Sequence, residues 1–516
     1  MRRLTTATII FGFGPLLGAC HHAAPSIEAA ASTLITNVSI LDGAGGPARA
    51  ASVRIVGDHI LEVPGGSATP HSGERVVDGK GLTLAPGFID THSHADRSLL
   101  DGNNAIGALN QGITTVVVGQ DGDSPFPLAE FFAKLEAVHP PINTASYVGH
   151  GTVRERVMGA DYKRHATAEE IARMRELVAQ EMHAGALGLS SGLEYDPGIY
   201  SSHEELIELA RTTASLGGRY ISHIRSEDRH FWSAIDEIID IGRQARLPVQ
   251  VSHTKLAMKS LWGRGDSLIA VLDGARTSGI DLTADVYPYR YWQSGLTVLF
   301  PERNFSDRAA AQFALEEVSP PNEITLTRYE PHPEYAGHTV AEIAQMRGTD
   351  PATTLMWLVH EAEDAAKAGR PAEETIIAAS MAEGDIARII AWPWANICTD
   401  GELDGKHPRG FGSFTRVLGR YVRDQHVVTL PEAIRKMTSL AAANVGIGDR
   451  GRIAPGMAAD LVLFDPGTVL DRATPTNPHA LSTGIVKVWV NGALAFENGR
   501  VTGERAGRVL RRPLPR

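Results

Sequence analysis

The residues best placed to do chemistry are histidines and carboxylates that close short apolar runs. In Gly87-Phe88-Ile89-Asp90-Thr91-His92-Ser93-His94, an apolar run released after Pro86 ends in His-x-His. Residues two apart on a strand point to the same side, so both imidazoles converge at the strand's carboxyl end. Two neutral imidazoles on one side make half of a zinc site. Further apolar runs end in His223, His253 and Asp400. With 20 histidines in the chain, any single one is more simply a surface or satisfied core residue. As a set, four histidines and a carboxylate closing separate or shared runs fit a metal site with a position open to water.

Strand-like and helix-like stretches alternate through the middle of the chain, which predicts a parallel sheet with helices outside. The strand candidates are residues 88–91, 114–118, 143–148, 186–190, 220–222, 249–252, 281–286 and 396–399. Eight is the number of a (β/α)8 barrel, whose active site lies at the carboxyl ends of its strands. Those ends carry His92, His94, Gln120, Asp121, His150, Glu194, His223, His253, Tyr287 and Asp400. A ninth apolar run, 375–380, has no place in that count. Helical patterns at 168–184, 202–216 and 231–245 fill the gaps, two of them opened by acidic first turns after Thr167 and Ser202. From 300 to about 348 the alternation breaks amid prolines, which predicts an insertion after the seventh strand, over the barrel mouth.

The two ends of the chain match each other. Short alternating runs at 34–40, 52–56 and 75–78 are separated by Asp42-Gly43, Gly57-Asp58 and Gly65-Gly66, the pattern of a small β-module. Runs at 460–464 and 485–490, the second followed by Asn491-Gly492, read as strands and a hairpin turn. The expected organisation is a β-sandwich built from residues 33–86 and 441–506 around a barrel of residues 87–440, with the basic tail from 508 frayed. At the N-terminus, Arg2 and Arg3 precede a short apolar stretch that ends in Leu17-Gly18-Ala19-Cys20. This resembles a lipoprotein signal (residues 1–20) that leaves a lipidated Cys20 facing the periplasm, the simpler alternative being an ordinary secretory signal. His21, in place of an aspartate, points to the outer membrane. Cys398 is then the sole remaining cysteine, and no internal disulfide is possible. The net charge of -11 argues against a nucleic-acid partner.

Beyond the single residues, the chain resembles the amidohydrolase superfamily, and within it the D-aminoacylase (N-acyl-D-amino-acid deacylase) family, from about Thr33 to Gly499. The likeness rests on Pro86 to His94, Ser191-Gly192-Leu193-Glu194-Tyr195-Asp196-Pro197-Gly198, Ser222-His223-Ile224-Arg225-Ser226-Glu227 and Ser252-His253-Thr254-Lys255. It continues in Thr399-Asp400-Gly401, His407-Pro408-Arg409-Gly410 and Gly451 to Leu461. It implies a distorted (β/α)8 TIM barrel that uses one or two zinc ions to hydrolyse the amide of an N-acyl-D-amino acid. His223 and His253 would be the main metal ligands, His92 and His94 would line a second metal position, and Asp400 would be the general base. Lys255, two residues after His253, suits the substrate's carboxylate. Tyr195, Tyr287 and Arg225 match residues near the substrate.

The chain departs from the family at the second strand, where a cysteine ligand is usual and Val118-Gly119-Gln120-Asp121-Gly122 stands. Glu194 is the expected replacement, with Asp121 in reserve. Bulk in Arg290-Tyr291-Trp292-Gln293-Ser294 is expected to reshape the side-chain pocket. Two other readings compete. An isoaspartyl-type dipeptidase or cyclic amidase would usually carry a lysine on the fourth strand, and none stands there. A non-catalytic zinc-binding lipoprotein would have no use for Asp400.

Overall fold

Short, fully buried apolar segments form the centre of the molecule, as parallel strands covered on both faces require. The computed structural model describes residues 32–513. The barrel strands are β1 (Phe88–Asp90), β2 (Ile113–Val118), β3 (Asn143–Ser146), β4 (Gly188–Gly192), β5 (Arg219–His223), β6 (Val249–Val251), β7 (Leu282–Val286) and β8 (Ala395–Ile397). β1 to β3 pair in parallel. Val148–Gly149, a short continuation of β3, pairs with β4, and β4 to β8 follow in order. The ring closes just beyond the strands. Ser93 and Gly401 form a parallel bridge, the Asp400 N–H donates to the His92 carbonyl (2.8 Å), and the His94 N–H donates to Gly401 (3.0 Å). Closure therefore runs through the same residues that carry the candidate chemistry.

β3 is interrupted at Tyr147, where a single strand 143–148 was expected. The Leu187 N–H reaches the Ser146 carbonyl at 2.9 Å, but below that point Thr144 has no partner on β4. The C-terminal tail supplies one. Thr144 donates to Arg508 (2.9 Å), Leu510 donates back to Thr144 (2.8 Å), and Arg512 donates to Gly185 (3.1 Å). The tail expected to fray is thus docked up to Arg512, because buried peptide groups need partners. Arg511 adds an ion pair with Glu136 at 2.6 Å.

The insertion between β7 and β8 is wider than residues 300–348. It includes an antiparallel sheet of Tyr291–Ser294, Ile324–Tyr329 and Glu374–Ala379, with Glu374–Ala379 in the middle. The unplaced apolar run is this central strand. Ile376, Ile377, Ala378 and Ala379 are all buried, so its pattern matches that of a barrel strand.

A nine-stranded sheet unites the chain ends through antiparallel pairing of Thr83–Pro86 with Leu461–Phe464. Alternation serves two cores at once. Leu461 and Leu463 join Ile35, Ile55 and Trp489 in a separate core, whereas Val462 and Phe464 belong with Phe88 to the barrel's core. The helix Ser439–Val445 runs across the boundary expected at 440 and packs on the barrel. Its Ala441 and Ala442 meet Ile89, and Val445 meets Val117, Ala145, Leu187 and Ile221.

Candidate metal centre and active site

The strand ends meet over the barrel in tight backbone. Asp121, His253 and Asp400 all have positive φ (53°, 31° and 50°), a conformation that costs non-glycine residues energy and clusters at functional sites. Each is held by a hydrogen bond or its turn. The Asp400 N–H is fixed on His92, and the His253 N–H donates to Asp285. Asp121 follows Gly119, where a Cβ would run into the Tyr147 carbonyl. These turns aim the side chains into the mouth rather than along the strands.

Three groups of donor atoms result, two of which share Asp121. His92, His94, Asp121 and Asp400 form one of the two; Asp121, His223 and His253 form the other. Asp121 belongs to both. One of its oxygens lies 3.3 Å from His92 Nε2 and 3.2 Å from His253 Nε2, and the other lies 3.4 Å from His94 Nε2. Asp400 Oδ1 stands 3.4 Å from His92 Nε2 and 3.2 Å from His94 Nε2. Both ring nitrogens of His92 and Asp400 Oδ1 are buried without hydrogen-bond partners. Buried polar atoms are normally satisfied, and a cation between them would satisfy these.

The electrostatics agree. Burial disfavours charge on His94, but the Asp121 and Asp400 carboxylates beside it outweigh this and push it up to about 9. Burial and Lys255 oppose charge on His253, yet Asp121, Asp400 and Glu227 push it up to about 10. Surroundings that favour a proton on buried imidazoles favour a metal cation in the same place. Burial would raise Asp400, but the Arg409 guanidinium, then His253 and His94, hold it well below the usual carboxylate range.

Glu194, the expected substitute for the missing cysteine, is in neither group with Asp121. Its carboxylate meets His223 Nε2 at 2.9 Å, in a third group with Glu227. The reserve residue Asp121 is the shared one. Lys255 is buried, and its ammonium sits on both oxygens of Glu227 (2.7 and 2.8 Å) and on His253 Nδ1 (2.6 Å). The Tyr195 hydroxyl is 3.2 Å from His223 Nδ1. Tyr287 is buried with its hydroxyl unpartnered, its ring 4.9 Å from the Arg409 guanidinium and 5.7 Å from the Lys255 ammonium.

Arg225 is a correction. It does not line the cavity, because Glu237 holds its guanidinium (2.9 Å) and Ile199 accepts from it (3.2 Å). His150 is likewise held elsewhere, on Glu205 at 2.8 Å. Sequence reasoning missed three groups. Arg409 clamps Asp400, Glu227 clamps Lys255, and Asp285 binds the His253 N–H and Gln250 (2.7 Å). Arg409 and Glu227 stood inside quoted motifs, but nothing in their spacing revealed their partners. A cavity of about 770 Å³ opens over His94, Asp121, His223, His253 and Asp400, with the insertion as one wall.

A closed parallel barrel that gathers four histidines and two aspartates beneath such a cavity has the construction of a metal-dependent hydrolase. The amidohydrolase family model matches residues 75–399 and 338–496, and the chain belongs to that family. It is 38% identical over 497 residues to an N-acyl-D-glutamate deacylase of Alcaligenes xylosoxydans xylosoxydans, covering 92% of this chain and 95% of the relative. A solved D-aminoacylase, studied for its binuclear metal center, superposes with a TM-score of 0.82 at 35% identity, over 93% of this chain and 99% of its own. An N-acyl-D-glutamate deacylase from Bordetella bronchiseptica, solved with zinc and a phosphonate mimic of the tetrahedral intermediate, gives 0.82 at 36% identity over the same shares.

Proposed function

We propose that this chain hydrolyses the amide bond of N-acyl-D-amino acids, releasing the D-amino acid and a carboxylic acid, with one or two zinc ions held by His92, His94, Asp121, His223 and His253. The observation that carries the reading is the arrangement around Asp400. Arg409 holds one oxygen and leaves the other, unpartnered, beside His92 and His94. Zinc in such a site supplies Lewis acidity and makes water a nucleophile near neutral pH. Asp400 takes the proton from the attacking water and returns it to the departing nitrogen, which leaves as an amine. Tyr195 keeps its proton, since burial and then the surrounding carboxylates push it well above its ordinary value, and its hydroxyl donates to the developing oxyanion.

The free acid is recognised beside the base. Lys255 lines the cavity with its ammonium held by Glu227 and His253; Arg409 also lines it, and Arg409 Nε and the Tyr287 hydroxyl are buried donors without acceptors. A substrate carboxylate supplies the acceptor. Preference for the D-enantiomer draws on the relatives, which act on N-acyl-D-amino acids by name. The test is release of free amine from matched N-acetyl-D- and N-acetyl-L-amino acids by zinc-loaded residues 21–516, with Asp400→Asn as control. Release from the D series, lost in the variant, supports the reading; equal turnover of both series sinks the D assignment.

The proposal extends to location. Leu17-Gly18-Ala19-Cys20 supports a lipoprotein anchored to the outer membrane and facing the periplasm, although these positions lie outside the described residues. Incorporation of labelled palmitate, abolished by Cys20→Ser, is the expected result. Among the described residues, no helix is long and apolar enough to cross a membrane.

A further inference from the structure

One carboxylate in the cavity takes no part in the chemistry above. Glu374 opens the central strand of the insertion sheet and lines the cavity together with Trp292, Val298, Leu299 and Val318. Its two oxygens accept from the Leu296 N–H at 2.8 and 2.9 Å. The chain comes this close because residue 295 is glycine, where a Cβ would stand 2.8 Å from Glu374 Oε1. Glu374 forms no ion pair with any described residue. The arginine on the neighbouring strand, Arg328, is taken by Glu330 and Glu373, each at 2.7 Å.

Glu374 is half-buried, and a partly desolvated carboxylate lacking a cation is costly. Burial accordingly pushes Glu374 up to about 7, and the Leu296 N–H offsets only part of this. The cost is recovered if the ligand brings the cation. Apolar walls beside a lone carboxylate match an aliphatic stem with a charged tip, since such stems pack on apolar surface while the head seeks a counter-charge. Asp123 and Glu155 also line the cavity and form no ion pair with any described residue; carboxylates outnumber the lining cations Arg97, Lys255, Arg328, Lys406 and Arg409, so the field draws cations.

We propose that Glu374 is the recognition group for a positive charge on the substrate, making the substrate class N-acyl-D-amino acids that carry an ammonium or guanidinium group. This rests on the deacylase reading and narrows it away from the acidic side chain in the name of the 38%-identical relative. The charge can sit on the amino acid's side chain, as in N-acetyl-D-lysine, or on the acyl part, as in 6-aminohexanoyl-D-leucine.

Two matched pairs distinguish these sources: N-acetyl-D-lysine against N-acetyl-D-norleucine, and 6-aminohexanoyl- against hexanoyl-D-leucine. Each is measured as kcat/KM with the zinc-loaded enzyme and with Glu374→Gln. The expected result is a preference of at least about 30-fold for the charged member of one pair, the scale of a close charge pair, falling to near unity in Glu374→Gln. Because the readout is a ratio within one protein, loss of folded enzyme does not imitate it, and the wild-type comparison needs no variant. The same pairs are titrated calorimetrically against zinc-loaded Asp400→Asn. No preference for charge in either pair, by turnover or by binding, overturns the assignment, as does a preference that survives Glu374→Gln. Absence of turnover with every compound, while the charged member still binds more tightly, sinks the deacylase reading and leaves Glu374 in its role.

Discussion

The floor and the insertion wall of the cavity are built differently. The floor draws His92, His94, Asp121, His223, His253 and Asp400 from five strand ends, several in strained backbone and cross-braced by Asp285, Arg409 and Glu227. The wall comes from one three-stranded sheet and its flanking segment, and its unpaired carboxylate, Glu374, rests on a single backbone N–H. The floor shares its backbone with the barrel's closure, because the Asp400 N–H and the His92 carbonyl form the hydrogen-bonded seam. A change in the wall disturbs only what the cavity admits. The difference separates reaction from selection, and it can be broken from either side.

The largest effect is expected at Asp400. Replacing it with asparagine removes the proton carrier and should lower kcat about a thousandfold, with zinc content by elemental analysis unchanged. Retained turnover would mean that another group moves the proton. Next is Asp121→Ala. As the carboxylate common to two of the donor groups, it should weaken zinc binding at both, by more than the roughly 100-fold that loss of an outer-shell partner can cost. A variant that keeps its full zinc complement at unchanged affinity would return the bridging role to Glu194. On the wall, Gly295→Ala needs no unusual backbone, since φ there is -83°. The added Cβ displaces the Glu374 carboxylate, so the ratio of charged to neutral substrate should fall severalfold while zinc content holds. A change in zinc content would break the separation.

Much of the floor was legible in the sequence, because buried parallel strands appear as apolar runs and their last residues can be counted. The limits were physical. Asp121 and Glu194 both follow a strand in a glycine-containing turn, and strand counting did not reveal that Asp121, at positive φ, joins two donor groups while Glu194 joins a third with His223 and Glu227. Arg225 lies two residues past His223, but β5 ends at His223, so alternation no longer governs its direction. Lys255 is also past its strand and is held by Glu227 rather than by alternation. The insertion sheet was hidden because its central strand is as buried as a barrel strand.

The tail tests a region that serves neither reaction nor selection. Deleting residues 507–516 removes the main-chain bonds linking Gly507 to Pro140, Arg508 and Leu510 to Thr144, and Arg512 to Gly185, together with side-chain-mediated bonds of Arg508 and Arg512 and the Arg511–Glu136 pair. At about 1 kcal/mol for each main-chain bond, the loss is at least about 4 kcal/mol, read as a lower midpoint in urea. Kinetic constants of the folded fraction should not change.

The smallest effect is expected at Arg225, where sequence and structure disagree most directly. If it contacted substrate, Arg225→Ala would raise KM strongly for every N-acyl amino acid. In the structure its guanidinium is spent on Glu237 and on the Ile199 carbonyl, a partly exposed pair of the kind worth up to about 1 kcal/mol. The variant should therefore lose about that much stability and keep kcat/KM within about twofold. A large rise in KM at full zinc content would show that the arginine swings into the cavity when substrate binds, and that the floor's recognition groups are not all in place beforehand.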